Sequence, residues 1–229
     1  MKNVFISTGN TSKFDTICDE MADPGSMIGP SLAMVTGPAG RGKSEAAKRY
    51  AAQTSAIYIP PMNIRSATMV LREIAFELST VSPSRSEKCL SVIGEEMSKD
   101  RRLIIIDEAD LLNLQILEML RNVNERYACP IILIGEDELK GKVGSRRRIA
   151  SRIRRKMEFT SVMQADIVYF VKQSLDVEIA GDVAGQILHH AKGDWRPVLT
   201  VVIAIERAMK ANSLDEISPE LADSVIRSR

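Results

Sequence analysis

The sequence predicts an α/β fold, a parallel sheet followed by a small C-terminal helical domain, and three observations predict it. Apolar runs without alternation recur between helical patterns up to about residue 160. Buried parallel strands separated by crossover helices read this way. A glycine-rich segment, GPAGRGKS at 37–44, lies between the first apolar run and the first helical stretch. From about residue 163 the apolar runs stop and only helical periodicity remains. The expected division is an α/β core with an N-terminal lead-in over 1–160 and a helical domain over 161–229.

The elements follow in order. SLAMVTG (31–37) is an apolar run ending in glycine, and the alanine-rich SEAAKRYAAQ (44–53) after it is helical in character. AIYIPP (56–61) reads as a strand stopped by two prolines. Ala67, Val70, Leu71, Ile74, Ala75 and Leu78 fall on one helical face behind Ser66, a suitable cap. A weaker helical pattern covers about 86–99. RLIIID (102–107) is a continuous apolar run, as expected of an interior parallel strand. Ile116, Leu117, Leu120 and Val123 mark the next helix, PIILIG (130–135) the next strand, and KMEFT (156–160) the last, at a sheet edge. Helices are then expected over 163–175, 180–192, 195–211 and 218–228. The third of these carries Val198, Val201, Val202, Ile205 and Met209 at helical spacing.

Composition excludes several classes. The chain has 229 residues with 31 basic and 30 acidic side chains, a net charge of +1 that points to no partner by itself. Cys18, Cys89 and Cys129 are scattered, which argues against a disulfide framework or a zinc site and fits a reducing, cytoplasmic setting. The opening MKNVFISTGNTSKF has no long apolar run, so no signal peptide is expected. No stretch approaches the ~20 apolar residues of a membrane helix, so no membrane association is expected. There is no internal repeat.

GPAGRGKS matches the phosphate-loop pattern G-x-x-x-x-G-K-[ST], and it has the strand before and the helix after that give the pattern its meaning. Gly37, Gly40 and Gly42 allow backbone amides to face phosphates with no Cβ in the way. Pro38, Ala39, Arg41 and Glu45 complete the segment around them. The helix N-terminus adds positive potential. Lys43 is placed to reach the β- and γ-phosphates of ATP, and Ser44 to ligand Mg2+. In that setting the strand ending LIIIDEAD (103–110) acquires a role. Asp107 is the expected second Mg2+ partner, directly or through water. Glu108 is the expected general base that activates the attacking water. DEAD at 107–110 does not make the chain a DEAD-box helicase. SAT (66–68) precedes it where the helicases have it after, and 229 residues leave no room for a second RecA-like domain.

GSRRRIASRIRRKMEF (144–159) holds Arg146, Arg147, Arg148, Arg152, Arg154, Arg155 and Lys156 with no acid before Glu158. Arginine is suited to fixed, bidentate phosphate contacts. Here the sequence resembles the AAA+ ATPases, whose core is a P-loop NTPase parallel sheet carrying a small helical lid. That superfamily places an arginine finger just before the last core strand, reaching into a neighbour's site. The resemblance implies Arg152 for that role, with Arg148 and Arg154 as alternatives. GDWRPV (193–198) resembles the start of the third lid helix, so Arg196 is implied as the sensor-2 arginine, and Trp195 as a residue packing the lid on the core. LIGEDEL (133–139) departs from the pattern, with Glu136 where a neutral polar sensor-1 residue is usual. A carboxylate there repels a γ-phosphate unless water or a cation intervenes, which implies slow turnover.

Within the superfamily the chain is most similar to the DNA-transposition branch, MuB- and TnsC-like proteins related to the ExeA-type ATPases. TGPAGRGKS, IIIDEAD, LIGEDEL, the arginine run and GDWRPV carry that similarity over about 30–228. STGNTSKFDTICD (7–19) resembles the lead-in that such proteins place over the adenine. The resemblance implies a minimal member that assembles with ATP into a homo-oligomeric ring or helical filament on double-stranded DNA. It implies that such an assembly selects target DNA without sequence preference and stimulates a transposase. Arg65, Lys140, Lys142, Arg146 and Arg147 are the implied phosphate contacts. A replication helper of helicase or clamp-loader type, and an ExeA-like ATPase without DNA contact, share the same core and remain as alternatives.

Overall fold

The computed structural model describes residues 1–2, 4–23, 25, 29–61 and 66–228. Contacts divide the chain into two compact units, Thr11–Pro38 with Lys43–Phe159, and Met1–Asn10 with Ala39–Gly42 and Thr160–Arg229.

The first unit is a five-stranded parallel sheet. Its strands are β1 (Leu32–Thr36), β2 (Ile57–Ile59), β3 (Ile104–Ile106), β4 (Ile131–Ile134) and β5 (Ile153–Glu158), in the order β2-β3-β4-β1-β5. The helices are α1 (Gly9–Ala22), α2 (Lys43–Gln53), α3 (Ala67–Ser79), α4 (Ser86–Lys99), α5 (Leu114–Tyr127), α6 (Asp137–Gly144) and the single turn α7 (Arg147–Ala150). The apolar runs lack alternation because both sheet faces are covered. Leu32, Met34, Ile104, Ile106, Ile131 and Leu133 pack with α3, α4 and α5. Their neighbours Ala33, Val35, Ile105, Ile132 and Ile134 pack with Phe14, Cys18 and Met21 of α1 and Ala46, Ala47 and Tyr50 of α2. Each fully buried isoleucine or leucine contributes about 1.5–3 kcal/mol relative to exposure. Ser66 caps α3 as expected, its side chain accepting from the Met69 N–H.

The structure differs from the sequence reading at the short helices α6 and α7, where none was expected, at the last strand and in the lead-in. The last strand begins at Ile153 rather than 156 and takes Arg154, Arg155 and Lys156 into the ladder, Arg155 beside Ala33 and Lys156 beside Met34. As an edge strand it needs no apolar run, and charged side chains there blunt pairing with another chain. The lead-in forms α1, where Thr11, Phe14, Cys18 and Met21 are buried at helical spacing.

The second unit joins α8 (Gln164–Leu175), α9 (Gly181–Ala191), α10 (Trp195–Asn212) and α11 (Pro219–Arg227) around one apolar core. All five apolar positions expected on α10 are buried. Asp194 caps α10 by accepting from the Arg196 N–H at 2.7 Å. Ser218 caps α11, with Pro219 in its first turn. From the N-terminal segment Ile6 joins this core, and the Lys2 N–H donates to the Ser174 carbonyl at 2.8 Å.

Candidate nucleotide site

Strand β1 runs straight into the glycine loop. Gly37 has φ +145°, and a Cβ there would lie 2.6 Å from the Phe159 carbonyl oxygen, so only glycine fits. Helix α2 then begins at Lys43, which turns the amides of its first residues toward the loop. Lys43 is 8% exposed, and its ammonium donates to the carbonyls of Gly37 at 2.6 Å and Pro38 at 2.8 Å. Ser44 is half-buried in the first turn, and Glu45 beside it is exposed and pairs with Lys48 at 2.9 Å.

The two carboxylates sit at the same end of the sheet. Ile106 pairs with Leu133 and Leu133 with Met34, which brings Asp107 level with Val35, just before the glycine loop. Asp107 is 5% exposed. Its Oδ1 accepts the Glu108 N–H at 2.9 Å and its Oδ2 accepts the Tyr58 hydroxyl at 2.6 Å. Burial and that bond to a carboxylate push the Tyr58 hydroxyl far above the ordinary phenol range. Glu108 has φ +48°, a left-handed conformation that costs a non-glycine residue about 1–3 kcal/mol. The chain therefore turns sharply at the strand end and leaves the Glu108 side chain exposed. Ser44 and Asp107 offer hard oxygen donors, the set Mg2+ takes while keeping places for water and phosphate. The residues present fit that ion.

The last acid of the DEAD segment has a structural task. Asp110 Oδ1 accepts the Glu136 N–H at 3.0 Å, and a Cβ on Gly135 would lie 2.4 Å from that oxygen. Lys142 donates to the carbonyls of Asp110 and, at 2.9 Å, Leu112. These bonds tie the end of β4 to the end of β3. They place Glu136 at the N-terminus of α6, exposed, at the loop end of the sheet. The sequence motifs assign no role to Tyr58, and they include Asp110 without giving it one. The only signal for Tyr58 is a polar hydroxyl inside the short apolar run AIYIPP.

The arginines lie elsewhere. Arg152 precedes Ile153, which pairs with Leu32 at the start of β1. From there to the glycine loop is roughly 16 Å along the strand at ~3.3 Å per residue, beyond an arginine side chain. Arg152 pairs instead with Glu125, which also holds Arg121. The Arg152 guanidinium keeps the Glu125 carboxyl below the usual range, with Arg121 adding to the effect. Arg155 pairs with Glu20, and Arg154 is half-buried in β5. Arg147 and Arg148 are exposed, and among the described residues no acid pairs with either. Arg146 lies 3.9 Å from Glu118. Lys140 is held by Asp137 at 2.9 Å and Glu158 at 2.7 Å. Arg65 lies outside the described residues.

In the helical unit Arg196 is exposed in the first turn of α10. The Trp195 ring packs edge-on against Phe170, centroids 5.6 Å apart. Residues 39–42 group here. The Trp195 N–H donates to the Gly40 carbonyl at 2.9 Å, and Arg41 donates to the carbonyls of Gly193 and, at 3.2 Å, Lys192. No helix among the described residues is long and apolar enough to cross a membrane.

A sequence profile of the AAA domain family matches residues 28–143. Among curated proteins, the ATP-dependent target DNA activator B of Escherichia phage Mu is 30% identical over 146 residues, covering 60% of this chain and 47% of that protein. The Mu-like prophage FluMu DNA transposition protein B of Haemophilus influenzae is 28% identical over 149 residues, 61% of this chain and 52% of that one. The chain thus spans about half the length of the curated relatives it matches. Among solved structures, Cdc6p of Pyrobaculum aerophilum aligns with TM-score 0.70 at 17% identity over 96% of this chain and 67% of its own. The RuvB Holliday junction branch migration motor of Thermotoga maritima aligns with TM-score 0.67 at 18% identity, over 97% and 70%. At these identities the likeness is one of fold.

Proposed function

The chain belongs to the AAA domain family, and on that premise we propose that it is an ATP-driven regulator of DNA transposition. In this reading it assembles on double-stranded DNA, selects target DNA and stimulates a transposase. The observation that carries the ATPase part is the placement of Asp107 level with Val35, at the end of the sheet where β1 enters the glycine loop with its buried Lys43. The amides of Gly37–Ser44 and the N-terminus of α2 receive the phosphates, and Lys43 moves from the loop carbonyls to the β- and γ-phosphates. Ser44 and Asp107 hold Mg2+, which when bound neutralises charge building on the phosphates. Glu108 takes a proton from the attacking water. Arg152 is too far from its own loop, so it serves the loop of a neighbouring copy, and Arg196 is the sensor-2 arginine of the helical lid domain, 161–229.

The transposition part is supported by the sequence likeness to the phage Mu and FluMu proteins. The likeness to Cdc6p and RuvB is one of fold alone and does not discriminate. DNA contact through exposed Arg147 and Arg146 would be made to phosphates, without sequence preference and steeply weakened by salt. Lys140 and Lys142 are weaker contributors, since each is engaged within the chain. A soluble DNA-bound ATPase of this kind works in the cytoplasm. The test is ATP hydrolysis by Glu108→Gln with and without duplex DNA. ATP binding should persist while turnover falls roughly 10²–10⁴-fold. Wild-type turnover in that variant removes Glu108 from the mechanism.

A further inference from the structure

Strand β2 is three residues long, and its outer two, Ile57 and Ile59, are buried in the core beneath α3. Tyr58 between them pairs with Ile105 of β3 and is half-buried against the opposite core. Its hydroxyl donates to Asp107 Oδ2 at 2.6 Å. The Asp107 N–H donates to the Ile59 carbonyl at 3.1 Å, so both backbone and side chain of Asp107 are tied to β2. The other carboxylate oxygen is taken by the Glu108 N–H at 2.9 Å. Each oxygen thus has one fixed donor, in a side chain 5% exposed. An O–H···O⁻ bond of this length is among the strong class, and leaving a buried carboxylate oxygen without its donor is costly. The phosphate-loop pattern does not call for a tyrosine on the neighbouring strand; the bond is a feature of this chain.

We propose that Tyr58 is a positioning residue for Mg2+, holding the Asp107 carboxylate in the one rotation that leaves its remaining lone pairs for the cation or its water. The inference rests on the nucleotide reading above. Tyr58 touches neither nucleotide nor cation in this account and acts through Asp107. A hydroxyl that merely satisfies the core alters stability alone. One that orients a metal ligand alters the response to the metal, and loss of such an outer partner typically weakens metal affinity about 10–100-fold.

The experiment is a Mg2+ titration of a fluorescent, non-hydrolysable ATP analogue bound to the full chain, with the metal-free affinity measured in chelator. Tyr58→Phe keeps the ring and removes only the hydroxyl. It should match wild type in chelator and need about 10–100-fold more Mg2+ for half-maximal tightening. Tyr50→Phe is the matched control. Its hydroxyl donates to Asp19 at 2.8 Å, on α1 and away from the carboxylates, so it should keep the wild-type midpoint. Thermal unfolding of both variants without nucleotide reports any general loosening. An unchanged Mg2+ midpoint in Tyr58→Phe, or an equal shift in Tyr50→Phe, overturns the inference and leaves the nucleotide site standing. A wild-type chain indifferent to Mg2+ or to the analogue overturns the nucleotide reading itself, and the inference with it.

Discussion

At the C-terminal ends of β1 and β3 the polar groups are held by bonds: buried Lys43 donates to two loop carbonyls, buried Asp107 accepts from Tyr58 and the Glu108 amide, and half-buried Asp110 accepts from the Glu136 amide. At the N-terminal end of β5 the charged groups are exposed. They pair across the surface, Arg152 with Glu125 and Arg155 with Glu20, or stand in solvent as Arg147 and Arg148 do. Both ends belong to one sheet. The first holds the Asp107 carboxylate between two fixed donors, the kind of ordered polar environment that electrostatic catalysis uses. The second has charge but no fixed target. In this account that target is another subunit.

The largest effect expected from breaking this contrast is at the loose end. Arg152→Ala removes a surface ion pair with Glu125, so the fold and ATP binding should be kept. A finger that stabilises phosphoryl-transfer charge is worth roughly 10³–10⁵ in rate, and hydrolysis should fall by that order. Steady-state ATPase assay beside nucleotide titration checks both halves. Loss of nucleotide binding in this variant would place Arg152 in the wrong role.

The smallest effect concerns the ion pair itself. The Glu125 carboxyl is held below its ordinary value, by Arg152 first. A carboxyl lowered in the folded state stabilises above its unfolded pKa, and that contribution disappears as pH falls through the lowered folded value. Glu125→Gln should therefore lower stability by no more than about 1 kcal/mol at neutral pH, since exposed pairs contribute little. The difference from wild type should vanish in acid. Denaturant unfolding at neutral and acid pH measures it. A loss of several kcal/mol would mean the arginine end is as rigidly built as the loop end.

The same contrast explains what was legible in the sequence. Strands β1, β3 and β4 are buried on both faces, so continuous apolar runs marked them, and the glycine loop fixed the place of Lys43. Burial also explains the miss at β5. Its pairing to β1 is made by backbone while Arg155 and Lys156 face solvent, so no apolar run announced its first residues. Helix α1 has only four buried positions among polar residues, too thin a stripe to stand out. Tyr58 and Asp110 act through contacts between strands distant in sequence, Tyr58 with Asp107 and Asp110 with Glu136. Spacing along the chain cannot carry such information.

The most direct measurement mixes two inactive variants. Lys43→Ala lacks a working phosphate loop but keeps Arg152; Arg152→Ala keeps the loop but lacks the arginine. If the two ends of the sheet serve one reaction on neighbouring subunits, a Lys43→Ala copy supplies the arginine to the loop of an Arg152→Ala copy. The account predicts that the mixture, at concentrations where the protein assembles on duplex DNA, hydrolyses ATP well above the sum of the separate rates. A mixture rate equal to that sum, with wild-type turnover per chain independent of concentration, would contradict it and return Arg152 to the role of a surface charge.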